Sequence, residues 1–113
     1  MKVSKIDFSL PTLFISECVF FYIAPKYGDT LLSHISACFD NVAFLHYEPI
    51  NLHDNFGKVM YNNLQNDGYH MSGFQYCTNR ESQISRYINN NFQKVNILTL
   101  NEIYNEIKKP ELD

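Results

Sequence analysis

Two short apolar runs with an amphipathic stretch between them constrain this chain more than any other feature. Thr12-Leu13-Phe14-Ile15-Ser16 follows Pro11, and Val42-Ala43-Phe44-Leu45-His46-Tyr47 follows Asp40-Asn41. Both have strand length and strand-favouring side chains. The first lacks apolar–polar alternation, which predicts burial on both faces, as in a parallel sheet covered by helices. Between them, Pro25 suits a first helical turn. Leu31, Leu32, Ile35, Cys38 and Phe39 then recur on one helical face. Strand, helix and strand within about 35 residues predict a right-handed crossover joining two parallel strands. Val19-Phe20-Phe21-Tyr22-Ile23 either prolongs the first strand or turns over as an apolar loop.

The second half is more helical and more polar. Asp54 can cap a helix with Phe56, Val59, Met60 and Leu64 on one face, closed by Asn66-Asp67-Gly68. Thr78-x-x-Glu81 reads as a capping box ahead of Ile84, Tyr87 and Ile88. Lys94 to Leu98 reads as another short strand. Thr99-x-x-Glu102 is a second capping box, ahead of Ile103, Tyr104 and Ile107. Lys108-Lys109 suits that helix's C-terminus, and Pro110 is expected to end it. The predicted class is α/β.

Composition narrows the function. With 113 residues the length suits one domain, and 45% hydrophobic residues with a net charge of −3 exclude intrinsic disorder. No apolar run approaches the roughly 20 residues of a membrane span, and the start shows no signal-peptide pattern, so a cytoplasmic location without membrane attachment is expected. The nine Lys and Arg are scattered, which argues against nucleic acid as a partner. Cys18, Cys38 and Cys77 are odd in number, far apart and outside any zinc-ligand spacing. Buried thiols in a reducing compartment, with no metal, are the expectation.

Candidates for chemistry are few. Glu17 directly follows an apolar strand, and ligands of open α/β sheets gather at the carboxyl ends of strands. On spacing alone it is equally consistent with a ligand contact and with a residue that caps a backbone turn or faces solvent. Tyr22, five residues on, reads first as core and second as a hydroxyl aimed into the same cleft. His34 sits on a helix with an apolar face and reads as surface or satisfied core rather than catalytic. His46 ends a strand without a visible partner, and Asp54 reads as a helix start.

Phe14-Ile15-Ser16-Glu17-Cys18-Val19-Phe20-Phe21-Tyr22 resembles the strand-end E-C-V-x-x-Y segment of leucine carboxyl methyltransferases. The likeness runs in order through Tyr47-Glu48-Pro49-Ile50-Asn51, Asp54-Asn55-Phe56-Gly57-Lys58-Val59-Met60 and Asn63-Leu64. It continues at Gly73, Cys77, Glu81-Ser82-Gln83, Arg86 and Leu100-Asn101-Glu102-Ile103-Tyr104-Asn105. The resemblance implies a partial class I S-adenosylmethionine-dependent methyltransferase sheet, Rossmann-like, with flanking helices. Residues 1–113 would form the later half of that domain, from the fourth strand onward. The family's Gly-rich cofactor loop, the acid ending its second strand, its substrate-binding arginine and its final strand have no counterpart here. Ala24 stands where a helix cap is expected and Gly28 falls in the first turns, so that helix is expected to start late.

The implied reaction is methylation of the C-terminal leucine carboxylate on the protein phosphatase 2A catalytic subunit. By resemblance Glu17 binds the cofactor, S-adenosyl-L-methionine, and Tyr22 is the catalytic residue that contacts the substrate carboxylate. Asp54, Phe56 and Gly57 match a motif beside the substrate pocket and are assigned a structural role. One alternative is the related tRNA wybutosine-synthesizing carboxyl methyltransferase, although Ile50-Asn51 and the Gly73-to-Cys77 stretch fit the phosphatase enzyme better. Another is a non-catalytic interaction fragment. The isolated segment is expected to be catalytically incompetent and to self-associate through an exposed strand edge.

Overall fold

A computed structural model describes residues 5–74 and 79–112. Strand β1 (Thr12–Glu17) leads through a 3-10 turn (Phe20–Tyr22) to α1 (Pro25–Cys38) and β2 (Val42–Tyr47). Helices α2 (Asn55–Asn66), α3 (Arg80–Asn89) and α4 (Leu100–Leu112) follow. The strands pair in parallel, with Thr12 opposite Val42 and Glu17 opposite Tyr47. The expected strand–helix–strand unit is therefore present. The apolar run after Glu17 turns over instead of prolonging the strand.

The two faces of this sheet differ. Because side chains alternate along a strand, Phe14, Ser16, Phe44 and His46 share one face. Leu13, Ile15, Leu45 and Tyr47 share the other. The first face is roofed: Phe14 stacks parallel to Phe44 and meets Phe39 edge-on at 5.1 Å. Phe20, Leu32 of α1 and Tyr87 of α3 form the core above Phe44. The second face is bare, with Leu13 58%, Ile15 70% and Leu45 60% exposed. The two-sided burial expected from the unbroken apolar run is not met: among the described residues nothing buries Leu13, Ile15 or Leu45. The radius of gyration, 16.5 Å, likewise exceeds the ~13 Å of a compact domain of this length.

Local chemistry sets the helix ends. Asp54 accepts the Gly57 N–H at 2.8 Å to cap α2, and Gly68, at φ +88°, closes it. Phe56 and Val59 do not join the packed face as expected. They are exposed, while Met60, Tyr61 and Leu64 pack against Phe21, Leu52 and Met71. Asn79, not Thr78, caps α3 by accepting the Ser82 N–H at 2.8 Å. Thr78 and Cys77 lie outside the described residues. Thr99 and Glu102 form the expected reciprocal capping box, at 3.1 Å each way. The backbone of α4 runs past Pro110 to Leu112, so the expected stop does not occur there. Proline's missing N–H removes one hydrogen bond near a helix end that frays in any case.

Two further expectations fail for tertiary reasons. α1 starts at Pro25 without a side-chain cap, not late. At Gly28 a Cβ would meet the Arg86 guanidinium, which would have to shift to admit it. Lys94 to Leu98 is extended but is not a strand. Its half-buried Val95 and Ile97 line a cavity of about 720 Å³ together with β2, and Val95 packs against the Phe20, Leu32 and Tyr87 cluster.

Candidate functional site

At the carboxyl end of β1 the chain changes direction sharply. Cys18 adopts φ +53°, a left-handed conformation that a non-glycine residue holds at a cost of ~1–3 kcal/mol and that recurs at functional sites. Its N–H donates to the Tyr47 carbonyl at 2.9 Å, prolonging the parallel ladder by one bond. Burial raises the Cys18 thiol pKa, and the nearby carboxylates of Glu48 and Glu17 raise it further. That effect marks an acidic strand end.

Glu17 is the last residue of β1 and lies on the bare side of the sheet, with its side chain exposed. Tyr22 ends the 3-10 turn, 44% exposed. Its ring meets Phe21 edge-on at 5.2 Å. Both candidates therefore leave the same strand-to-turn segment toward open space, and Tyr22 is not the core residue that spacing alone favours. The turn between them is rigidly held. Phe20 enters the cluster with Leu32 and Tyr87, whereas Phe21 enters the separate cluster with Leu52 and Met71. The Gly73 N–H donates to the Phe21 carbonyl at 2.9 Å. A Cβ on Gly73 would collide with the Phe20 carbonyl oxygen, so only glycine lets that backbone approach.

An exposed carboxylate at a strand end suits an ammonium group, and an exposed phenol can donate to a carboxylate. A cofactor binding through its ammonium would thus find one acceptor here, in Glu17.

The other candidates separate from this pair. His34 lies on the exposed side of α1, 3.5 Å from the Cys38 thiol through Nε2. Asp54 is the α2 cap. His46, expected to be without a partner, has two: its Nδ1 pairs with the Tyr87 hydroxyl and its Nε2 lies 3.2 Å from Glu48 Oε2. One tautomer satisfies both contacts, with the tyrosine donating to Nδ1 and Nε2–H donating to the carboxylate. Burial raises the Tyr87 hydroxyl pKa, against a smaller lowering by Arg86 and a further rise from Glu48, so the phenol keeps its proton.

Sequence reading passed over Glu48, although it follows an apolar strand directly, as Glu17 does. Its side chain is 7% exposed, and Oε1 has no partner among the described residues. The cavity along the free edge of β2 opens beside it, lined by Phe44, His46, Tyr87, Val95 and Ile97. Among the described residues no three His, Cys, Asp or Glu side chains gather as a metal site. None of the described helices is long and apolar enough to cross a membrane.

No family model matches the chain. It is 35% identical over 93% of its length to leucine carboxyl methyltransferase 1 of Caenorhabditis elegans. It is 30% identical over its whole length to leucine carboxyl methyltransferase 1 of Rattus norvegicus. The chain spans 32% and 34% of those two proteins. A tRNA wybutosine-synthesizing protein 4 of Rattus norvegicus is 26% identical over 90% of the chain, which spans 15% of it.

Proposed function

Because this chain is homologous to the leucine carboxyl methyltransferases over about a third of their length, we propose that it forms the later half of such a methyltransferase domain. The reaction is S-adenosylmethionine-dependent O-methylation of the C-terminal leucine carboxylate of the protein phosphatase 2A catalytic subunit. The observation that carries this reading is the placing of Glu17 and Tyr22, both exposed, on one fixed turn at the carboxyl end of a parallel strand. The bare sheet face and the cavity along β2 support the half-domain reading, since both leave room for elements that relatives three times as long possess.

The chemistry asked of the cofactor is one electrophilic methyl group on a sulfonium. Glu17 accepts hydrogen bonds from the cofactor's ammonium and complements its positive charge. Tyr22 donates its hydroxyl to one oxygen of the substrate carboxylate and orients the other for in-line attack. No general base is needed, because a C-terminal carboxyl with a reference pKa of about 3.5 is already ionised at neutral pH. Glu17 must stay on the cofactor side, where it does not repel the substrate. These 113 residues assayed by themselves are expected to show no turnover, and the free edge of β1 invites self-association.

The test uses a chimaera in which this chain replaces the matching third of the Rattus norvegicus leucine carboxyl methyltransferase 1. Labelled methyl from S-adenosylmethionine is expected on the phosphatase catalytic subunit and not on hypomodified tRNA. Glu17→Ala should weaken cofactor binding by calorimetry, whereas Tyr22→Phe should act on the phosphatase substrate. Label on tRNA alone overturns the substrate assignment, and unchanged cofactor affinity in Glu17→Ala overturns the role of Glu17.

A further inference from the structure

Arg86 carries its charge from α3 into the core, with its side chain 3% exposed. Its Nε donates to Asp29 Oδ1 of α1 at 2.9 Å. Its guanidinium lies over the Phe20 ring, 5.0 Å from the centroid. The space for the fork exists because residue 28 has no Cβ. Burying an ion pair is costly, and a leucine or methionine of similar volume often stabilises a core as well or better. An arginine adds direction that packing does not: Asp29 fixes the edge of a planar fork, and its face then fixes the ring it covers.

That ring begins the turn that ends in Tyr22. Phe20 and Phe21 enter different clusters, and Gly73 holds the Phe21 carbonyl from the far side. The turn therefore cannot rotate unless Phe20 slides beneath Arg86. We infer that Arg86, braced by Asp29, is a positioning residue for Tyr22, setting through Phe20 the direction in which the Tyr22 hydroxyl meets the substrate. This inference rests on the substrate role proposed for Tyr22.

The experiment is a double-mutant cycle in the same chimaera, with a leucine-terminated phosphatase tail peptide as substrate. Arg86→Met should lower kcat/KM about tenfold, mainly through KM, a loss typical of misplaced binding groups. S-adenosylmethionine affinity should not change. In the Tyr22→Phe background the same substitution should cost less than about twofold, because interacting residues are non-additive. Fluorotyrosine at position 22 should also shift its ¹⁹F resonance in Arg86→Met. Losses that multiply across the two backgrounds, or an unmoved resonance, overturn the inference and leave the Tyr22 assignment standing. A Tyr22→Phe variant with full activity removes that assignment, and the inference falls with it. If Arg86→Met does not fold, Asp29→Ala is read the same way, since it removes the carboxylate that accepts from Arg86 Nε.

Discussion

The two faces of the β1–β2 pair come from the same twelve residues and reach opposite ends. On one face Phe14, Phe44 and His46 sit beneath α1 and α3, and the packing is fastened by polar contacts. Ser36 Oγ donates to the Asn90 carbonyl at 2.8 Å, Ser33 pairs with Asn90, and Tyr87 pairs with His46. On the other face Leu13, Ile15, Leu45 and Tyr47 meet solvent. Burial of apolar area is the main stabilising term in folding, so the roofed face holds this segment together. The open face is where Glu17 points. The difference teaches that cohesion and chemistry lie on opposite sides of this sheet.

Substitutions can break that comparison. Leu32 is fully buried in the roofed core, and Leu32→Ala should cost about 3 kcal/mol, within the range for cavity formation. Leu45→Ala on the bare face should cost less than about 0.5 kcal/mol in this chain. It should cost several-fold more in the full-length chimaera. Urea unfolding of both variants in both contexts checks this, and an equal cost for Leu45 in the isolated chain would show its face to be covered.

A smaller effect is expected at the polar fastening. Tyr87→Phe removes the hydroxyl that pairs with His46 and should cost about 1 kcal/mol at neutral pH. The folded phenol has a pKa above its ordinary 10, so the folded state binds that proton more tightly. The stabilisation is fully present below pH 10 and is lost as pH rises above it. Tyr87→Phe should therefore flatten the alkaline limb of a stability–pH profile, and an unchanged limb would mean that another group governs it.

The smallest stability effect belongs to the bare face. Ile15→Lys should leave unfolding within about 0.5 kcal/mol of the parent. It should also abolish concentration-dependent association in sedimentation, because a charge on an exposed apolar sheet surface opposes pairing. Association that survives the lysine would place the contact elsewhere.

Local signals carried much of the fold. The parallel crossover, the Asp54 cap and the Thr99–Glu102 box are written in residues close together in sequence. What failed depended on distant partners. Val95 and Ile97 have strand chemistry but pair with no strand among the described residues, and Gly28 looks like a helix breaker until the Arg86 guanidinium, far along the chain, is found against it. His46 and Tyr87 are 41 positions apart, which no spacing rule reaches. At the site, Glu17 was legible from its place after an apolar strand, and Tyr22 needed the family resemblance to outweigh a core reading. Glu48 satisfied the same strand-end criterion and was overlooked.

The missing side chain at position 28 carries a consequence for sequence divergence. Positions 28 and 86 share one volume: the glycine is empty because the arginine is long. Alanine at 28 asks the far end of the Arg86 side chain to shift, and a shorter residue at 86 leaves a void that alanine at 28 partly refills. The two sites should therefore drift as a pair, and a lineage that loses the arginine loses the reason for the glycine.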